Sequence, residues 1–177
     1  HDFSMRGMGG IEASTISGAG HLLSFTGTDT IPAIEFLEEY YNADSDKELI
    51  GGSVAATEHS VMCMGTNEGE YETFKRLICE VYPKGIVSIV SDTWDLWKVL
   101  TDYLPRLKGE ISSREGKVVI RPDSGDPVDI ICGNPEGKTE QERKGVIELL
   151  WETFGGTVNA KGFKELIPQI GAIYGDS

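Results

Sequence analysis

Basic residues are scarce in this sequence. Its 177 residues hold 16 Lys and Arg against 29 Asp and Glu, a net charge of -13, with a pI near 4.6. That balance argues against nucleic acid or an anionic membrane surface as the main partner, since both bind basic patches. It leaves room for an anionic small molecule, which needs only a local group of Arg, Lys or backbone N–H. Long apolar runs are missing: none approaches the roughly 18–20 residues of a membrane span. No signal-peptide pattern is visible in the first residues. Cysteine is sparse: Cys63, Cys79 and Cys132 are widely spaced and form no CxxC pair. Neither a thiolate metal site nor a disulfide framework is expected, and a reducing cytoplasm fits.

What is present is ordinary for a globular chain: 39% hydrophobic and 25% charged residues, enough for one domain with a sizeable core. No repeat, low-complexity segment or interdomain linker stands out, so residues 1–177 are expected to form a single domain. The chain opens on "HDF" and stops at "GDS" directly after an apolar run. Both ends read as cut from a longer protein.

The segments alternate. His21 to Phe25 ("HLLSF") is strand-like, and Ile31 to Tyr41 is helix-like, with Pro32 tolerated in the first turn. Ser53 to Thr57 is a short apolar piece. From Glu70 to Val81 the apolar residues follow one helical face. "GIVSIVSD" (Gly85 to Asp92) reads as a buried strand, and the apolar residues from Leu96 to Leu107 again follow helical spacing. Asp92 is a plausible N-cap for that helix. "KVVIRPD" is the next strand. Thr139 and Glu142 stand at capping-box spacing before a helix to Phe154. A short helix is expected around Phe163 to Ile167, and then "IGAIYGD". Strand and helix in alternation predict βα units and a parallel α/β fold. Strands should end near Phe25, Thr57, Val90, Ile120 and Ile173.

Polar groups follow each of these strands: Asp29, then Glu58 and His59, then Ser91 and Asp92, then Arg121 and Asp123, then Gly175 and Asp176. In a parallel sheet or barrel the C-terminal strand ends share the face where ligands bind. Arg121 suits a phosphate or pyrophosphate. Asp29, Asp123 and Asp176 suit sugar hydroxyls, amide N–H groups or a Mg²⁺ shell. His59 suits a general base, a nucleophile toward phosphorus or a phosphate contact. Each has a plainer reading. A lone histidine after a strand is more often structural, "PDSG" is ordinary turn chemistry, and Asp92 serves as readily for a cap as for a ligand.

Six stretches decide between these readings: "HDFSMRG", "FTGTDT", "SVAATEHS", "SIVSD", "VIRPDSGDP" and the final "GD". In this order and at this spacing they resemble the nicotinamide phosphoribosyltransferases, part of the nicotinate/nicotinamide phosphoribosyltransferase family. The resemblance runs the length of the chain but covers only the middle of such an enzyme. It implies part of a TIM-like, type II phosphoribosyltransferase barrel. It also implies transfer of phosphoribosyl from phosphoribosyl pyrophosphate to nicotinamide, with Mg²⁺, with ATP as an optional coupling substrate and with a homodimeric complete enzyme.

By the same resemblance Phe3 stacks on the nicotinamide ring, and His1 and Asp2 open its motif. Arg6 binds phosphate, and Asp29 accepts from the carboxamide N–H. Ser53, Val54 and Ser88 line the base tunnel. His59 is the histidine phosphorylated when ATP hydrolysis is coupled to synthesis. Arg121 and Asp123 hold the phosphoribosyl unit, and Gly175 and Asp176 contact the ribose. An acceptor at Asp29 favours the neutral amide over nicotinate, whose carboxylate it would repel. The family's N-terminal region and its glycine-rich phosphate loop lie outside this chain, so the isolated chain is expected to be inactive. The competing readings are a nicotinate phosphoribosyltransferase, a non-catalytic module that keeps the barrel face, and a generic TIM-like sugar-phosphate enzyme.

Overall fold

The computed structural model describes residues 1–175. It divides into two compact units, one from His1 to Val54 and the other from Ala55 onward.

The first unit is mainly helical: α1 (Ser4–Gly7), α2 (Ile11–Leu22) and α3 (Pro32–Tyr41). Two isolated parallel bridges, Asp2 with Thr28 and Gly27 with Gly52, tie the loops between them. Ala19, Leu22, Ala33, Leu37 and Ile50 form its small core. Helices α2 and α3 approach closely at Gly18, where an added Cβ would lie 3.0 Å from the Ala33 Cβ. Pro32 sits in the first turn of α3, as expected, and Asn42 ends the helix in the left-handed conformation.

The strand expected at His21 to Phe25 does not form. His21 and Leu22 are the last turn of α2, and the chain turns back at Leu23. Five residues of mixed apolar character cannot separate a strand from a helix end. The burial of Ser14, Gly18, Ala19 and Leu22 shows that the helical face won.

The second unit is an α/β layer. Strands β1 (Ala55–Ala56), β2 (Gly85–Val90), β3 (Gly116–Arg121) and β6 (Ile170–Ala172) form one sheet in that order, and every pairing is parallel. Between them run α4 (His59–Met64), α5 (Glu70–Arg76), α6 (Leu96–Lys98), α7 (Leu104–Arg106), α8 (Lys108–Ser113), α9 (Pro127–Cys132) and α10 (Glu140–Phe154). A π-helical turn, Leu77–Val81, extends α5, and another, Val99–Tyr103, joins α6 to α7.

Val87 pairs with Val118 and Ile89 with Ile120. These four side chains are fully buried in one core with Phe74, Leu100, Leu104, Ile111 and Leu150 from the helices. Strands so enclosed read as continuous apolar runs, which is why β2 and β3 fall where the sequence places them.

The capping box also forms. The Thr139 hydroxyl accepts from Glu142 N at 3.2 Å, and the Glu142 carboxylate accepts from Thr139 N at 2.9 Å. Gly145, with φ of 73°, interrupts α10 against the backbone of Gly133.

Two further expectations are corrected. Lys164–Leu166 is not helical but strand β5, antiparallel to β4 (Gly156–Val158). The Asn159 side chain accepts from Lys161 N and Phe163 N and closes the hairpin, a turn signal that outweighs three loosely spaced apolar residues. Asp92 does not cap the following helix. Asp95 does, accepting from Trp97 N at 3.0 Å and Lys98 N at 3.1 Å.

Candidate functional site

In the first unit Asp29 follows the bridged residue Thr28 and is exposed. Its Oδ1 accepts from the Ser53 hydroxyl at 2.5 Å and lies 2.9 Å from His1 Nε2. The His1 ring lies 4.8 Å from the Phe3 ring, centroid to centroid. Gly27 leaves room for that imidazole, since a Cβ there would sit 2.6 Å from Nδ1. The Arg6 guanidinium stands over the other aromatic partner, 5.5 Å from the Phe3 centroid.

Asp2 is buried and structural. It accepts from the Ser4 hydroxyl and backbone N–H and, at 2.9 Å, from the Thr28 hydroxyl. Burial pushes the Asp2 carboxyl up, but its hydroxyl and N–H donors outweigh this and hold it below the usual range. Phe3, Arg6, Asp29 and Ser53 are therefore gathered in one unit around His1. Val54 is exposed at the end of the same unit.

In the second unit the ends of β1, β2 and β3 converge. Arg121 closes β3 and is 4% exposed. Its Nη2 donates to Thr57 O at 2.8 Å, and its Nε lies 3.6 Å from Asp123 Oδ1. Glu58 approaches the same guanidinium at 4.0 Å. His59 begins α4 with one carboxylate on each side: Nε2 is 3.2 Å from Asp92 Oδ1, and Nδ1 is 3.8 Å from Asp123 Oδ2. The other Asp92 oxygen accepts from Asp123 N at 2.9 Å and the Ser124 hydroxyl at 2.6 Å.

Burial alone would raise the Asp92 carboxyl. The donors from Ser124, Asp123 and His59 overcome it and keep Asp92 below the usual carboxylate range. Gly175 meets this cluster from β6: its N–H donates to Pro122 O at 3.0 Å, and a Cβ there would run into the Asp123 carboxylate. Ser88, on β2, is 5% exposed with no hydrogen-bond partner on its hydroxyl. Asp176 lies outside the described residues.

A buried cation, a half-exposed imidazole and three carboxylates at adjoining strand ends can hold a polyhydroxylated, phosphorylated ligand and pass a phosphoryl group. The model of the nicotinate phosphoribosyltransferase (NAPRTase) family matches residues 1–177. The chain belongs to that family.

Among its relatives, the nicotinamide phosphoribosyltransferase of Acinetobacter baylyi is 56% identical over 184 residues, covering 100% of this chain and 36% of that protein. Its counterpart in Mycoplasma pneumoniae is 42% identical over 99% of the chain and 36% of the relative. That of Xanthomonas campestris pv. campestris is 34% identical over 99% and 34%. The chain thus spans about a third of the length of the curated relatives it matches.

Within this NAPRTase-family segment, sequence reasoning missed Thr57 as a supporting group and left Asp92 open between a cap and a ligand. Thr57 anchors Arg121 through its carbonyl and accepts from Val90 N through its hydroxyl at 3.0 Å. Asp92 holds His59 and the 122–124 turn together. Its position at a strand end, beside other strand-end polar groups, was the available signal. Among the described residues no group of three or more His, Cys, Asp or Glu is placed to hold a metal ion.

Proposed function

We propose that this chain is the central part of a nicotinamide phosphoribosyltransferase, which moves phosphoribosyl from phosphoribosyl pyrophosphate to nicotinamide and releases pyrophosphate. The observation that carries the reading is the convergence of Arg121, Asp123, His59 and Gly175 at adjoining parallel strand ends. The names of its relatives support it.

The parallel strands follow chain order, each added beside the last. That arrangement suits part of a TIM-like barrel whose remaining strands come from the rest of the protein. In the reaction the anomeric carbon becomes electron-poor. Asp123, steadied by Arg121, is suited to hold the ribose hydroxyls and face that charge. Phe3 offers a ring face to the base, and Asp29, oriented by His1 and Ser53, accepts from a carboxamide N–H. A nicotinate carboxylate would meet Asp29 as a like charge, which sets the amide above the acid as substrate.

We assign ATP coupling to His59, the half-exposed imidazole of the cluster. Mg²⁺ arriving with the pyrophosphate substrate would stabilise the leaving group. The complete enzyme is expected to be a homodimer whose second subunit supplies the aromatic opposite Phe3. Three unpaired cysteines suit a reducing cytoplasm, and among the described residues no helix is long and apolar enough to cross a membrane.

The test is pyrophosphate release by the complete gene product. Release from phosphoribosyl pyrophosphate should require nicotinamide and should be lost in Arg121→Ala. Release that ignores the base would overturn the reading.

A further inference from the structure

We infer that Thr57 is a positioning residue for Arg121. Its hydroxyl takes the place of its own carbonyl in the β1–β2 ladder, and the carbonyl so released fixes the arginine for phosphoribosyl pyrophosphate. The inference rests on the transferase reading of Arg121 and goes beyond it by naming the side chain that sets the arginine's pose.

Strand β1 pairs with β2 in parallel, Ala55 with Val87 and Ala56 with Ser88. The ladder runs one step further, because Thr57 N donates to Ser88 O at 2.9 Å. In a parallel pair, a residue that donates to one carbonyl of its neighbour accepts, at its own carbonyl, from the N–H two residues further along. The regular acceptor for Val90 N is therefore Thr57 O. Val90 N instead donates to the Thr57 hydroxyl at 3.0 Å. Thr57 O is turned out of the ladder and accepts from Arg121 Nη2 at 2.8 Å.

Val90, Thr57 and Arg121 are all buried, so a donor that loses its partner here has no solvent to replace it. The exchange needs an acceptor one atom beyond Cβ. Threonine and serine carry one, and valine, with the shape of threonine, does not. In Thr57→Val the Val90 N–H returns to the carbonyl of residue 57 and draws it away from the guanidinium.

The neighbours then left to Arg121 are carboxylates: Asp123 at 3.6 Å from Nε and Glu58 at 4.0 Å from Nη2. Each competes with a phosphate for the same cation. A neutral carbonyl holds the arginine without neutralising it, and that is what Thr57 contributes.

The experiment uses the complete gene product. Thr57→Val should raise KM for phosphoribosyl pyrophosphate about tenfold, the loss of one hydrogen bond to a charged donor. Its kcat should stay within about threefold, as for a group that acts on binding. Thr57→Ser should keep KM within about threefold of wild type, because the hydroxyl is retained. A Thr57→Val enzyme with KM within about threefold of wild type overturns the inference, and so does a Thr57→Ser enzyme as impaired as Thr57→Val. Crystal structures decide the bond exchange without kinetics. Val90 N should meet the Thr57 hydroxyl in the wild type and the residue 57 carbonyl in Thr57→Val. A wild type with Val90 N on Thr57 O overturns the inference without any variant having to fold. If the wild type releases no pyrophosphate from phosphoribosyl pyrophosphate, the transferase reading falls, and the two structures still decide whether Thr57 sets Arg121.

Discussion

Asp29 has an oxygen occupied by Ser53 and His1, and the carboxylate remains exposed. On the proposed reading, a base that offers an N–H gains there, and one that offers a carboxylate loses. Replacing Asp29 with Ser should lower kcat/KM for nicotinamide by about 1.5–3 kcal/mol in transition-state binding, relative to nicotinate. Equal ratios for the two bases before and after the change would remove this role from Asp29.

Glu70 makes a different prediction. It is wholly buried, and neither carboxyl oxygen has a partner that meets hydrogen-bond geometry. Burial pushes it up to about 7, against weaker pulls downward from Tyr103 and Lys98, while Asp95 adds to the rise. The folded state therefore holds this proton more tightly than the unfolded state. Its contribution is fully present below pH ~4.5 and is lost as pH rises through ~7. Glu70→Gln should gain on wild type by about 3 kcal/mol in unfolding free energy between pH 4.5 and pH 8. Urea unfolding at the two pH values measures it, and a pH-independent difference would show that Glu70 is solvated.

Elements differ in how they depend on single residues. Phe74 on α5 is fully buried against Tyr103 in the core beneath the sheet. Phe74→Ala should cost about 3–5 kcal/mol in urea unfolding, and a loss below ~1 kcal/mol would mean the helix layer repacks freely.

The elements legible in the sequence were those whose signal is local and redundant. Strands β2 and β3 carry runs buried on the helix side, and α10 carries a complete capping box. Helix α2 was not legible because its Gly and Ser residues bury only Ser14, Gly18, Ala19 and Leu22, a face too small to show a period. The β4–β5 hairpin turned on the Asn159 side chain rather than on apolar spacing. The same limit applied to the candidate site. His59, Arg121 and Asp123 were readable as strand-end chemistry, but the role of Asp92 depends on contacts 31 to 33 residues away in sequence.

At the scale of the molecule, an acidic chain of net charge -13 gathers a buried arginine and a histidine where three of its strands end. The family match spans all 177 residues, while the relatives are about three times as long. The segment alone is expected to bind nicotinamide mononucleotide no more tightly than about 0.1 mM by calorimetry, and micromolar binding would mean that the chain holds more of the site than the proposal gives it. The central claim is that the protein containing this chain transfers phosphoribosyl to the amide rather than to the acid. The most direct measurement is a competition in which the complete gene product, phosphoribosyl pyrophosphate and Mg²⁺ meet equal nicotinamide and nicotinate. The account predicts that nicotinamide mononucleotide dominates by at least tenfold, the factor that about 1.4 kcal/mol supplies. Equal products, or an excess of nicotinate mononucleotide, would contradict it.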